Sequence, residues 1–282
     1  MFKPMLAATA ETETDIRFPC IGTPKLDGIR VLNVGGKAVT RSLKPLRNAK
    51  AAALIQTLPP GVDGELIAGS FQDTASTAMS ADGGDDFEIF LFDWAGAAAE
   101  YTARLNALTQ LQLPLRVRVI PLFQLLEDAD ALLRYEELCL SKGFEGVVTR
   151  DPRATYKWGR STLKEQGMVK LKRWADSEAV VIGFVEQLAN LNPIQRDELG
   201  RAARPGTSSL HLPKGTLGSL AVRDCATGVE FHVGSGFDDA LRQRIWDNQN
   251  EYMGRTVTYR YQRVGVKDKP RFPTFLRFRS DE

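Results

Sequence analysis

The sequence predicts an α+β protein of two domains, a larger one with antiparallel sheets and a smaller C-terminal one closing as a β-barrel. Three observations predict it. Strand-like and helix-like segments follow one another without strict alternation up to about residue 175. After Glu186 the texture changes to a tract rich in Asn, Arg, Pro, Gly and Ser, which reads as a long mobile excursion. Beyond it, three β patterns surround one helical pattern, and with the segments before the excursion they supply the five strands of a small barrel.

In chain order, "VLNVGG" (31–36) and "KAVTRS" (37–42) read as a hairpin turning at Gly35-Gly36. Residues 47–58 have helix composition and are stopped by Pro59-Pro60-Gly61. "VDGELIAG" and "FEIFLFDWAG" read as core strands, with "STAMSADGGDD" between them as a polar loop. Helices follow over "EYTARLNALTQL" and "DADALLRYEELCLSKG", the second with Asp128 or Asp130 as cap and Gly143 as stop. "FEGVVTRD", "MVKLKRW" and "EAVVIGFVE" are strands, and a domain boundary near 175–180 falls among them. "TLGSLAVRD", "VEFHVG" and "RTVTYRYQRV" complete the strands, and "DDALRQRIWDNQNEYM" places Leu241, Ile245 and Trp246 at helical spacing.

Composition narrows the function classes. No stretch approaches 18 continuous apolar residues and the first ten lack a signal-peptide core, so no membrane role is expected. Cys20, Cys139 and Cys225 are far apart, and His211 and His232 are the only histidines, which argues against a disulfide framework or structural zinc and for a reducing, cytoplasmic setting. Net charge is only +2, yet its distribution is uneven. Arg30, Lys37, Arg41, Lys44, Arg47 and Lys50 occur without an acidic neighbour between Gly28 and Val62, and basic excess returns over 150–174 and 255–279. Brought to one face, those segments suit a phosphate backbone; left apart, they are ordinary solvated surface.

The stretch "IGTPKLDGI" (21–29) carries the chemistry. A protonated lysine is a weak nucleophile, and neighbouring cations with partial desolvation favour its reactive neutral form. On an extended segment Asp27 returns to the side of Lys25 while Leu26 points away, Gly28 permits a close approach, and Arg30 offers a two-pronged phosphate donor. Taken alone, the same letters describe a surface lysine beside a turn.

"KLDGIR" resembles the lysine-x-aspartate-glycine signature of covalent nucleotidyltransferases, and further motifs follow in that family's order. These are "TRSLKPLRN" (40–48), "DGELIAG" (63–69), "FEIFLFDW" (87–94), "FEGVVTRDP" (144–152), "MVKLKRW" (168–174) and "KDKPRFPTFLRFR" (267–279). With "YKWGRSTLKEQGMVKLK", "GTLGSLAVRD" and "HVGSGFDD", the chain is similar to ATP-dependent DNA ligases, above all to their minimal, algal-virus-like branch.

The resemblance implies an ATP-grasp-like adenylation domain over 1–177 and an OB-fold domain over 178–282, the latter with a latch-like DNA-binding insertion at about 187–214. It implies sealing of nicks between a 3'-hydroxyl and a 5'-phosphate in duplex DNA, through a lysyl-AMP and a DNA-adenylate. By the same resemblance Lys25 is the nucleophile, Asp27 orients, and Thr23, Arg30 and Arg41 serve the nucleotide. Glu65 takes the ribose, Phe92 stacks on adenine, Glu145 binds magnesium, Lys170 and Lys172 clamp the α-phosphate, and Lys269 and Arg271 meet pyrophosphate, with Arg279 a further candidate in the same motif. Lys44, Arg47, Arg196, Arg201, Arg204, His211 and Lys214 face DNA, and Leu210 and Leu212 offer apolar packing.

ATP and Mg²⁺, replaceable by Mn²⁺, are the expected cofactors, and the expected state is a monomer clamping nicked DNA, intracellular in a bacterial, phage-infected or virus-infected cell. RNA end joining and GTP-dependent RNA capping use the same chemistry and are the near alternatives. A DNA-binding scaffold without catalysis is the alternative of another class.

Overall fold

The computed structural model describes residues 2–204, 210–262 and 269–279. The chain divides into two compact units, Met1–Lys172 and Arg173–Glu282. Part of the expected latch (205–209), Lys267 and Asp268 of the last motif, and the tail beyond Arg279 lie outside the described residues.

In chain order the first unit contains β1 (Ala8–Ala10), β2 (Cys20–Lys25), β3 (Ile29–Val34), β4 (Lys37–Thr40), α1 (Ala49–Thr57), β5 (Val62–Ile67) and α2 (Phe71–Met79). It continues with β6 (Glu88–Trp94), α3 (Tyr101–Thr109), β7 (Val117–Val119), β8 (Gln124–Leu126), α4 (Ala129–Ser141), β9 (Gly146–Arg150) and β10 (Val169–Leu171). Two five-stranded sheets result, in the orders β1-β10-β9-β2-β8 and β4-β3-β5-β6-β7. A shared core that includes Ile21, Leu26, Val31, Leu66, Ile89 and Leu91 fills the space among them, while α4 packs Leu132, Tyr135 and Cys139 into a second cluster with Cys20, Leu126 and Val147.

The expectation of antiparallel sheets is corrected: both are mixed. β1 lies parallel to β10, and β6 parallel to β7. Each of these pairs is joined by a long connection, α3 in the second case, and a crossover of that length returns a strand in the same direction where a short turn would reverse it.

Local chemistry explains the helices. Asn48 caps α1 by accepting from the Ala51 N–H at 2.9 Å, and Asp128 caps α4 through Ala131 N–H at 2.8 Å. The tract expected to be a polar loop is partly α2. Ser70 and Asp73 form a reciprocal capping box at its start, a signal present in the sequence as S-x-x-D.

The second unit contains β11 (Trp174–Asn190), β12 (Gln195–Arg196), β13 (Ala202–Ala203), β14 (His211–Asp224), β15 (Glu230–Val233), α5 (Asp239–Asp247), α6 (Gln249–Tyr252), β16 (Thr256–Gln262) and β17 (Arg271–Phe278). Its main sheet has the order β15-β14-β11-β16-β17, around a core of Ala179, Leu217, Val222, Phe231, Val257 and Phe275. The expectation of a closed barrel is corrected: among the described residues no ladder joins the two edges. β15 is only four residues long, and the backbone leaves extended geometry at Gly236 (φ +92), so the chain meets β17 through one isolated bridge, Ser235 to Thr274.

The excursion is not structureless either. β11 and β14 continue outward as a pair through Leu188–Pro213, Ala189–Leu212 and Asn190–His211, and β12 with β13 forms a separate two-stranded ribbon. Main-chain pairing sustains this arm without the apolar alternation that would have marked it as strand. No helix among the described residues is long and apolar enough to cross a membrane.

Candidate active site

Register assembles the site. Across the first sheet Thr23 lies opposite Val148, and Val148 opposite Lys170, while Lys25, two residues on from Thr23, pairs with Gly146. Alternation then sends Thr23, Lys25, Val148, Arg150 and Lys170 to one face. All five line a cleft of about 470 Å³, within the usual size of a small-ligand pocket.

Lys25 ends β2, and its Nζ donates to the Glu145 carboxylate as an ion pair. The contact follows from the sheet. The Glu145 N–H donates to the Lys25 carbonyl at 3.0 Å, and Gly146 then takes φ +151, a backbone state that side chains rarely adopt. Lys170 sits in a crowd of cations. Burial first, then Lys172, Lys25 and Arg160, bring its pKa down to about 8. Lys172 donates its backbone N–H to the Ala10 carbonyl at 2.9 Å, just beyond β10, and is outside the cleft lining.

The second sheet supplies the opposite wall. Arg30 and Glu65 are register partners on β3 and β5, and both line the cleft. The Arg30 guanidinium is already engaged: Nε and Nη2 donate to the buried Asp63 carboxylate at 2.7 and 2.5 Å, and Nη1 donates to the Met5 carbonyl at 2.5 Å. Tyr156 completes this network, donating its hydroxyl to Asp63 at 2.7 Å and accepting from the Met5 N–H at 3.1 Å. Burial pushes the Glu65 carboxyl up to about 7, against the opposing pull of Arg30 and Lys25.

Gly28 has a packing reason for its identity. A Cβ there would stand 2.3 Å from the Leu66 carbonyl oxygen, so the close approach it permits is that of β5. Asp27, half-buried in the turn before it, is not among the cleft-lining residues.

Phe92 reaches the cleft through a β-bulge. Asp63 pairs with Asp93 but Gly64 pairs with Leu91, which leaves Phe92 as the extra residue of β6. A bulge re-aims a side chain, here into the lining. Arg41, just after β4, also lines the cleft and is exposed, whereas Lys44 and Arg47 are exposed residues outside the lining.

In the second unit Lys269 is exposed, and Arg271 opens β17 with its guanidinium carbon 5.3 Å from the Phe272 ring. Arg279 pairs with Glu178 at 2.8 Å. On the arm, Arg196 donates to the Gly200 carbonyl at 2.8 Å, Arg201 pairs with Asp197 at 3.0 Å, Arg204 donates to the Asn192 carbonyl, and Lys214 donates to the Gln187 side chain at 3.1 Å. His211, partly exposed, begins β14.

Sequence reasoning passed over Thr40, Ser42, Arg150, Arg160 and Met168, which also line the cleft. Arg150 had a signal. It stands two residues beyond Val148 on the same strand, so alternation alone points it to the same side. Among the described residues no group of three or more His, Cys, Asp or Glu side chains is placed to hold a metal ion.

Residues 212–279 match the family described as DNA ligase OB-like domain. The chain is 34% identical to the Chlorella virus DNA ligase solved as its adenylate, covering 100% of this chain and 99% of that one with a TM-score of 0.56. A Lig E DNA ligase structure, from work on DNA binding with a minimal scaffold, is 27% identical over 99% of this chain and 100% of that one, with a TM-score of 0.75. Among curated proteins, the DNA ligase of Haemophilus influenzae is 27% identical over 260 residues, or 90% of this chain and 84% of the relative. The 34% identity to the Chlorella virus enzyme along essentially the full length of both chains establishes that this protein belongs to the ATP-dependent DNA ligase family.

Proposed function

We propose that Lys25 is the residue through which this ATP-dependent DNA ligase carries AMP. The observation that supports it is that Lys25 lines a nucleotide-sized cleft together with Lys170, Arg30 and Arg41. The Nζ lone pair attacks the α-phosphorus of ATP, forming the N–P bond as the P–O bond to pyrophosphate breaks. AMP then passes to the 5'-phosphate of a nick, and the adjoining 3'-hydroxyl displaces it to close the backbone.

Each transfer builds charge on phosphorus oxygens, which preorganised cations stabilise. Lys170 holds the α-phosphate, with Lys172 two residues further on, and an arriving phosphate raises the lowered pKa of Lys170 by supplying the missing counter-charge. Glu65 accepts from the ribose hydroxyls. Thr23 and Phe92 face the base, with Val148 and Met168 adding apolar lining. Arg41 reaches for phosphate. Arg30, tied to Asp63 and Met5, acts on the phosphates from a fixed position. Asp27 orients the incoming nucleophile.

Glu145 together with nucleotide phosphates is the oxygen donor set a hard divalent ion takes, and Mg²⁺ or Mn²⁺ held there supplies charge neutralisation. Lys269 and Arg271 serve pyrophosphate release in the first step. Lys44, Arg47 and the arm residues Arg196, Arg201, Arg204, His211 and Lys214 bind the DNA backbone, with 1–177 as the adenylation domain and the 187–214 arm as the latch of a monomeric clamp around nicked duplex.

Incubation with radiolabelled ATP or GTP and Mg²⁺ tests the reading. Label retained from ATP alone and lost in Lys25→Ala, together with loss of nick sealing, supports it. Sealing by Lys25→Ala at the parent rate excludes it, and retention of GTP label favours RNA capping.

A further inference from the structure

We propose that Arg150 is a positioning residue for base selection, fixing the Thr23 hydroxyl so that it presents only an acceptor to the nucleotide. The inference rests on the reading that the cleft takes ATP. Arg150 is 2% exposed and Thr23 1%, and both line the cleft.

Hydroxyl chemistry makes the case. Thr23 has one proton, and it is donated to the Val148 carbonyl at 3.2 Å. Arg150 Nη1 approaches the same Oγ1 at 3.4 Å, and a guanidinium can only donate. With its proton spent on one side and a donor on the other, the hydroxyl oxygen keeps a single acceptor lone pair. Adenine carries a 6-amino donor for such a group. Guanine carries a 6-oxo acceptor there, so lone pair meets lone pair and a buried acceptor goes unpaired.

The same guanidinium holds the facing wall. Arg150 Nη1 also donates to the Tyr101 hydroxyl at 3.2 Å, and that hydroxyl donates to the Phe92 carbonyl at 3.2 Å, within the bulge that turns Phe92 to the cleft. Its guanidinium carbon lies 4.6 Å from the Tyr101 ring and 5.4 Å from the Phe92 ring. One buried cation thereby couples the hydroxyl from the first sheet to the aromatic from the second.

The test measures lysine adenylylation of the full chain with Mg²⁺ against ATP and GTP concentration, for the parent, Arg150→Gln, Thr23→Val, Thr23→Ser and the double variant Arg150→Gln/Thr23→Val. Arg150→Gln and Thr23→Val should each raise KM for ATP and lower the ATP-to-GTP preference by about tenfold, the worth of one lost buried pairing, with kcat within about twofold. Thr23→Ser should keep the preference, and the double variant should be no worse than either single change. Unchanged preference in folded Arg150→Gln and Thr23→Val, or fully additive losses, overturns the inference. If circular dichroism shows Arg150→Gln unfolded, Thr23→Val decides, and unchanged preference there overturns it. A parent chain that takes label from neither nucleotide overturns the ATP reading itself, whereas parent labelling with insensitive variants overturns this inference alone.

Discussion

Lys25 and Glu145 stand 120 positions apart, and what brings them together is one backbone hydrogen bond and the register of two strands. The electrostatic character of the site is set by burial and crowding more than by any single pair. Lys170, with its pKa near 8, binds fewer protons when folded than when unfolded between pH 8 and the ordinary lysine value. The unfolded state holds the extra proton, so Lys170's unfavourable contribution is full below pH 8 and fades as pH rises through that window. Lys170→Met should therefore be more stable than the parent at pH 7, with the difference shrinking toward pH 10 in denaturant titrations, while adenylylation falls. Glu65, raised to about 7, has the opposite dependence: its stabilising share is lost as pH rises from the ordinary carboxylate range through 7. Glu65→Gln should gain stability relative to the parent above pH 7 and none at pH 4, in the same titrations.

At the scale of elements, two short features matter most, the bulge in β6 and the arm continuing β11 and β14. Deleting 192–213 should weaken binding of nicked duplex strongly and leave lysine adenylylation nearly intact, as read by gel shift and label retention. Comparable loss of both sinks the latch assignment. Helix α2 rests on its capping box, and Ser70→Ala should destabilise the chain by about 1 kcal/mol in thermal or urea unfolding, the usual worth of such a cap.

These elements also show what a sequence makes legible. The β3–β4 hairpin and the Asp128 cap of α4 were visible because turn glycines and caps are local signals. The arm was not, since its strands, exposed or half-buried residue after residue, lack an alternating buried face. The bulge was not, since the slip at Gly64 is a property of pairing between β5 and β6. In the cleft, Lys25, Glu65, Phe92 and Lys170 were found by motif, whereas the engagement of Arg30 by Asp63 and the Met5 carbonyl depends on where distant segments meet.

For the whole molecule, the uneven charge distribution acquires a partial explanation. The basic segments 28–62 and 150–174, separate in sequence, both feed the same cleft in the first unit, through Arg30 and Arg41 and through Arg150, Arg160 and Lys170. An open five-stranded sheet stands where a closed barrel was expected, because closure requires an edge strand long enough to ladder and β15 is too short. Nick binding should fall with rising salt, and Arg196→Ala or Arg204→Ala should each reduce the slope of log affinity against log salt by about one unit if that residue meets a phosphate. An unchanged slope removes the residue from the DNA face. The most direct check on the whole account is intact and peptide mass spectrometry after mixing purified protein with ATP and Mg²⁺. The predicted result is a single AMP adduct on the peptide carrying Lys25, lost as free AMP while sealed strand forms when nicked duplex is added; an adduct on another lysine, or none at all, contradicts it.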